Sequence, residues 1–465
     1  MLDFYRSEAS MRINPTSYRL GVDIGGTFTD VALEGPGSRV TAKVLTTHRA
    51  PEEGVLTAIS QTLAQAGLAP ADLSAIIHGT TLATNALIER KGARTALITT
   101  QGFRDVLRIG LENRFEQYDL YLEKPEPLVP RRLRLTVPER VSAQGQVLLP
   151  LDETAVRQII PLLRKQQIES VAVAFLHSFV NPSHEQRVRE ILLAELPDLS
   201  ISLSCEVSPE IREYDRFSTT CANAYIQPKV ARYLQNLQTH LRESGFTCPI
   251  FAFLSNGGIT DLETASRFPV RLIESGPAGG AILAGAVARQ CGLDSVVSYD
   301  MGGTTAKLCL LDGGRPATAR DFEVARIYRF KRGSGLPVRI PVIEMVEIGA
   351  GGGSLCQVNP LGLITVGPDS AGSEPGPASY GRGGTRATVT DANLLLGRID
   401  PATFAGGTLP LDPAAAASAI NRDVARPLNL PSLLAAQGVV EVVDENMASA
   451  AREHAVEHGL SLEGR

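Results

Sequence analysis

Hydrophobic and polar positions along the chain group into segments of strand and helix length, in alternating order. TSYRLGVDIGGTFTDVALE (16–34) reads as two runs rich in β-branched residues joined at the glycines, which predicts a hairpin. PEEGVLTAISQTLAQAGL (51–68) has the pattern of a helix. SAIIHGTT (74–81) predicts a strand ending in a polar turn, LATNALIERKG (82–92) a helix closed by glycine, and TALITT (95–100) a strand. From Gly102 to Pro150 the pattern loosens into prolines and arginines, as in EKPEPLVPRR, and predicts an ordered insertion with little regular structure that lines a cleft. Alternation resumes in DETAVRQIIPLLRKQ, SVAVAFLHSF, HEQRVREILLAEL and SISLSCEV.

A new unit is expected near residue 206, with a long helix around YIQPKVARYLQNLQTHLRES, a strand PIFAFLS, a small-residue helix AGGAILAGAVARQCG and the strand-like VVSYDMGGTTAKLCLL. Between residues 333 and 385 glycine and proline concentrate, in GSGLPVRIP, EIGAGGGS and SAGSEPGPASYGRGG. Such loops suit close backbone approach to a ligand. The expected division is a polar leader 1–18, an N-terminal lobe 19–205 and a second lobe 206–465.

The 465 residues, 43% of them hydrophobic, suffice for two or three domains with cores of their own. Net charge is −5, with no long run of either sign to track a nucleic acid backbone or an anionic membrane. The longest apolar stretch, GPAGGAILAGAVA (276–288), is too short to span a bilayer, and the polar N-terminus lacks the apolar core of an export signal. The six cysteines show no C-x-x-C spacing, which points to reduced thiols and a cytoplasmic protein.

The chemistry lies in a repeat. Aligning residues 20–31 with 297–308 superposes Asp23 on Asp300, Gly25 and Gly26 on Gly302 and Gly303, and Thr27 on Thr304, at an offset of 277. One D-x-G-G-T core per half of the chain is the mark of a two-lobed duplication. A glycine turn lacks the Cβ atoms that keep a phosphate away and leaves backbone N–H groups and threonine hydroxyls as donors. A neighbouring aspartate can hold Mg²⁺ through water, and Asp23 and Asp300 are the candidates. The repeat also sets Asp30 against Lys307, a base or metal-reading carboxylate against an anion-reading ammonium; each can equally be a solvated strand residue. Thr29 and Thr305 extend the set of hydroxyl donors. In EIGAGGGS, Gly351 and Gly352 either wrap a ligand or serve a tight loop. His78 stands after a strand, where a loop reaching the cleft would let it transfer a proton, or where it is a hydrogen-bonded structural residue. Glu347 and Asp391 are metal or water contacts or helix caps. Arg212, Tyr214 and Arg216 read a carboxylate or form a salt bridge at the domain junction.

GVDIGGTFTD, HGTTLATNALIERKGARTALITTQGFRDVL, REYDRFSTTCANAYIQP, IESGPAGGAILAG, DMGGTTAK, EIGAGGGS and EPGPASYGRGGTRATVTDANLLLG together resemble the hydantoinase A/5-oxoprolinase family, to which acetone carboxylase β subunits are related. The likeness covers residues 19–463. It implies an α/β, two-lobed actin-like ATPase fold, a duplicated ribonuclease-H-like unit. Residues 21–31 and 298–308 would be the two phosphate hairpins and 276–288 the connecting helix. That family's adenosine motif follows a helix resembling VVDENMASAAREHAVEHGL, and the chain stops at Arg465 before it, so a C-terminally incomplete fold is expected. The resemblance further implies ATP and Mg²⁺ as cofactors, a small cyclic amide as substrate, a hydantoinase B-type second subunit and an oligomer. A carboxylase subunit using the same nucleotide site is the nearest alternative. A sugar-kinase-like phosphotransferase and a non-catalytic nucleotide-gated scaffold are more distant ones.

Overall fold

The computed structural model describes residues 17–25, 28–47, 50–111, 114–327 and 333–465. Most of the expected leader therefore lies outside the described residues, and Tyr18 already belongs to the first strand. β1 (Tyr18–Ile24) and β2 (Phe28–Gly35) form the expected hairpin. They are followed by an unexpected third strand, β3 (Ser38–Leu45), paired antiparallel to β2. Leu20, Val22, Ile24, Val31 and Leu33 point into the core, and the residues between them point outward, so one face of this ribbon is apolar. α1 (Pro51–Ala66) opens on proline, carries Glu52 and Glu53 in its first turn, and closes at Gly67 with φ 67°. β4 (Leu73–Thr80) lies parallel to β1, and α2 (Leu82–Ile88) follows it.

A second, wholly parallel sheet has the order β8-β7-β5-β6, from β5 (Thr95–Thr100), β6 (Arg134–Val137), β7 (Ser170–Ala174) and β8 (Ser200–Leu203). β5 and β7 are buried at every position, as parallel strands covered on both faces are. α3 (Glu153–Lys165), capped by Asp152, and α4 (Ser183–Glu195) connect its strands. Residues 102–150 contain only short elements, among them the single turn Val106–Ile109, and they line two adjoining cavities.

A long helix begins just after the boundary expected near residue 206. α5 (Glu213–Glu243) spans about 46 Å at 1.5 Å per residue. Its first half, with Phe217, Cys221 and Ala224, belongs to the core of the second sheet. Its second half, with Val230, Tyr233, Leu234 and Leu237, belongs to the core of the first. β9 (Ile250–Phe253) and β10 (Ile259–Asp261) then complete the first sheet, in the order β10-β9-β4-β1-β2-β3. The chain continues with α6 (Ser275–Cys291), β11 (Ser295–Met301) and β12 (Ala306–Asp312). β12 pairs on its other side with β13 (Val346–Ile348) and the short strand Arg315–Pro316. α7 (Ser432–Glu457) packs Val439, Val440 and Val443 onto a third core with Ala306, Ile348 and Val389. Among the described residues no helix is long and apolar enough to cross a membrane.

Candidate functional site

The two halves of the repeat fold alike. In the first, Gly25 N–H donates to the Phe28 carbonyl at 2.8 Å; in the second, Gly302 N–H donates to the Thr305 carbonyl at 2.9 Å, at the same offset of 277. The register is also repeated: Asp23 stands opposite Asp30, and Asp300 opposite Lys307. Gly26 and Thr27, expected as phosphate ligands, lie outside the described residues. Gly302, Gly303 and Thr304 form an exposed turn, with Thr305 half-buried behind it.

Asp23 is fitted into a space that glycine creates. A Cβ on Gly79 of β4 would stand 2.8 Å from its Oδ1, and one on Gly276, in the first turn of α6, 3.2 Å from its Oδ2. Oδ1 is buried with no hydrogen-bond partner. Burial above all, then the charges of Asp30 and of Asp300 in the other lobe, push its pKa up from an ordinary 3.8 to about 6, with Lys43 pulling the other way. Asp300, beside the second turn, is thus near enough to Asp23 for its charge to act on it. Asp30 itself is exposed and paired with Lys43 at 2.6 Å; Lys43, on the third strand that the sequence pattern did not predict, also sits 4.6 Å over the Phe28 ring. Phe28 meets Phe404 edge-on, with ring centroids 6.4 Å apart.

Lys307 is nearly buried, and burial lowers its pKa. Its ammonium pairs with Glu274 at the start of α6 and lies 3.8 Å from Glu347, its register partner on β13. The glycines of EIGAGGGS are explained by packing against the second turn. Gly352 and Gly353 N–H groups donate to the carbonyls of Gly302 and Gly303 at 3.0 and 2.7 Å. A Cβ on Gly351 would approach the Thr304 backbone to 2.6 Å. This loop therefore holds the turn in place, whichever ligand the turn takes.

Several expected site residues are elsewhere. His78 lies inside β4, not in a loop; it is buried, its Nε2 shares a hydrogen bond with Tyr233 Oη at 3.0 Å, and burial lowers its pKa to about 4. It is a core histidine without access to the cleft. Thr29 shares the buried face of β2 with Val31, and its hydroxyl meets Thr46 Oγ1 at 3.2 Å, so it offers no donor to a phosphate. Asp391 is buried as the capping partner of Thr388 and accepts from the Ser379 N–H at 2.8 Å. Arg216 is buried, donating to the carbonyls of Phe175 and Glu210 at 2.8 Å, while Arg212 is exposed. Tyr214 lines a cavity of about 590 Å³ with Phe103, Arg104, Asp105 and Arg131. It adjoins one of about 850 Å³ walled by Arg90, Arg108, Arg114 and Lys124. Glu274, Gly79 and Lys43 were missed by sequence reasoning; Glu274 and Gly79 sit in quoted motifs, Lys43 in none.

Among the described residues no three metal-ligating side chains cluster. An unpartnered Asp23 Oδ1 within reach of the Asp300 charge fits a cation that keeps most of its water and shares its remaining contacts with phosphate oxygens, as Mg²⁺ does.

The caprolactamase subunit alpha of Pseudomonas jessenii is 39% identical over 452 residues, 95% of this chain and 63% of that one. The crystal structure of ATP-dependent caprolactamase from that organism matches with TM-score 0.78 at 37% identity, over 94% of this chain and 63% of the other. A nucleotide-free acetone carboxylase structure matches with TM-score 0.82 at 29% identity, over 95% and 63%. The 5-oxoprolinase of Saccharomyces cerevisiae is 34% identical over 83% of this chain and 32% of its own. The chain thus spans less than two thirds of the length of these relatives. Residues 19–196 match the profile of the Hydantoinase/oxoprolinase N-terminal region and residues 216–464 that of Hydantoinase/oxoprolinase, and the chain belongs to the hydantoinase/oxoprolinase family.

Proposed function

We propose that the chain is the nucleotide-hydrolysing part of an enzyme that opens a cyclic amide of the 5-oxoproline or hydantoin type at the expense of ATP. The observation that carries this reading is the buried, unpartnered Asp23 Oδ1, in a space made by Gly79 of β4 and Gly276 of α6 and within reach of the Asp300 charge. The strand order β3-β2-β1-β4-β9, with only β2 running against the others, supports a ribonuclease-H-like unit and hence an actin-like, two-lobed ATPase. The relatives support ATP as the energy source, since one is titled an ATP-dependent caprolactamase.

An unstrained lactam is stabilised by resonance and resists water. Transfer of the γ-phosphoryl group to the ring carbonyl oxygen releases ADP and makes an imidate phosphate; water adds at that carbon, the C–N bond opens to a free amine and an acyl phosphate, and a second water converts the acyl phosphate to the carboxylate and inorganic phosphate. The protein's part is positioning and charge neutralisation. The N–H groups of Gly25 and Gly302 close their own turns, which leaves those of Gly303 and Thr304 in the second turn to bind phosphate oxygens, and Lys307 supplies a fixed positive charge. Asp23 and Asp300 would hold Mg²⁺ through water, which when bound offsets the charge of the phosphates. Tyr214 and the arginine-lined cavities beside it give the substrate a polar approach. All six cysteines are unpaired, in keeping with a reducing cytoplasm. The printed names of relatives as subunits support a second, hydantoinase B-type subunit and an oligomeric assembly.

Phosphate release from ATP, measured with 5-oxoproline, hydantoin and caprolactam, tests the reading. Stimulation lost in Asp23→Asn and Asp300→Asn supports it; turnover indifferent to both substitutions sinks it. The likeness to acetone carboxylase favours a second reading, phosphorylation of a carbonyl or of bicarbonate ahead of carboxylation. Stimulation by bicarbonate with a ketone, and none by lactams, would select it.

A further inference from the structure

Glu274 precedes α6 in a backbone conformation that suits it badly. Its φ of 64° and ψ of 25° are left-handed, a region that costs a residue with a side chain and that glycine enters freely. As the residue capping α6 it makes no side-chain capping bond. Local structure therefore gives no reason for glutamate here. Its contacts do. Its N–H donates to Thr84 Oγ1 in α2 at 3.2 Å. α2 itself starts from Thr81, whose N–H and hydroxyl both donate at 3.0 Å to the carbonyl of Ile24, the last residue before the first glycine turn. Its carboxylate pairs with Lys307 of the second hairpin. Glu274 is thus the link in a continuous path from one turn to the other.

Lysine is a point charge on a flexible four-carbon stem, so its location depends on what holds it. Lys307 has three carboxylates about it: Glu274 before α6, Glu347 on β13 and Asp300 opposite on β11. Asp300 is exposed, Glu347 is 53% exposed, and Glu274 only 18%. Among the three, Glu274 alone also connects to the first hairpin.

We propose that Glu274 is a positioning residue that fixes the Lys307 ammonium in the cleft and ties its place to that of the first glycine turn. The inference rests on the reading of the cleft as a triphosphate site and adds to it the group that sets the geometry of its cation.

The deciding variant is Glu274→Gly, which removes the carboxylate and relieves the backbone. It should melt no lower than the wild type. Lys307, followed by mass spectrometry during reductive methylation of the folded, nucleotide-free protein, should react at least fivefold faster than in the wild type. Affinity for a non-hydrolysable ATP analogue should change less than threefold while kcat falls at least tenfold, and Glu274→Asp should recover part of the rate. Combined with Lys307→Met, Glu274→Gly should add no further loss of kcat. Unchanged labelling of Lys307, or wild-type turnover in Glu274→Gly, overturns the proposal. A wild-type protein that binds no ATP analogue overturns instead the reading of the cleft, and the labelling result is read independently of that outcome.

Discussion

Replacing Asp23 by asparagine should make the protein more stable and less active, with a pH dependence that the structure fixes. The folded state raises the Asp23 pKa from 3.8 to about 6, chiefly by burial and then by Asp30 and Asp300. The folded protein therefore keeps this proton where the unfolded chain has lost it. Below pH 3.8 both states are protonated and the site costs nothing. As pH rises toward 6 and beyond, ionisation in the fold costs up to about 3 kcal/mol, at roughly 1.4 kcal/mol per pH unit. Asparagine has nearly the same shape and does not titrate, so Asp23→Asn should gain this amount at pH 7.5 and close to nothing at pH 3.8.

With an unfolding entropy of about 2.1 cal/mol/K per residue, 3 kcal/mol across the 465 residues raises Tm by about 3 °C for a single transition. Melting curves of both proteins in EDTA, from pH 4 to 8, measure the difference directly, because every other titrating group cancels between them. Adding Mg²⁺ and a non-hydrolysable ATP analogue should raise the wild-type Tm by mass action and shift the variant far less. A Tm difference that stays constant across this pH range would refute the account of a strained, cation-seeking carboxylate.

His78 gives the opposite curve. Its pKa is depressed from 6.5 to about 4 by burial, so the stability it contributes is full above pH 6.5 and falls by about 3 kcal/mol as pH drops to 4; in His78→Gln this acid loss should shrink in denaturant titrations, with kcat unaltered. Gly351→Ala places a methyl 2.6 Å from the Thr304 backbone, which has no flexible end to yield, and should cost at least about 2 kcal/mol and weaken nucleotide affinity, both readable by calorimetry. Thr29→Val removes a hydroxyl that meets only Thr46 and should cost about 1 kcal/mol with turnover within twofold of wild type; a tenfold loss of rate at unchanged stability would return that hydroxyl to the site.

What could be read from the sequence was whatever is local or repeated. The hairpins, α1, α2 and the long α5 follow from runs and breakers a few residues apart. The equivalence of the two turns followed from a motif long enough to be found twice, and the folded molecule repeats even its closing hydrogen bond. The errors came from the second dimension of a sheet. Thr29 was counted among the hydroxyl donors of the first turn, but on a strand alternate positions face the core. The buried positions Val31 and Leu33 share the parity of Thr29, a signal present in the sequence and overlooked. His78 fell to the same rule: Gly79 faces Asp23 and so His78 faces the core.

The division expected near residue 206 falls in the gap between the two matched profiles, and beside it runs a helix shared by two cores. Chain order does not say which sheet a later strand joins, and β9 and β10 return to the sheet that β1 began, reached by a helix long enough to serve two cores. The cleft has the same character. Asp23, Gly79, Gly276, Glu274, Lys307 and Gly351 come from separate places along the chain, each adjusted to another: two glycines make room for one carboxylate, a third lets a loop lie on a turn, and a glutamate accepts a left-handed backbone to reach a lysine. The repeat marked the two turns; the residues that aim them are single copies with no partner in the sequence to reveal them. This places the specificity of the site in its unrepeated residues, where the two lobes differ, and the asymmetry of Asp30 against Lys307 is the clearest case. One hairpin presents a carboxylate toward solvent with its own lysine at hand, the other a nearly buried ammonium with a glutamate.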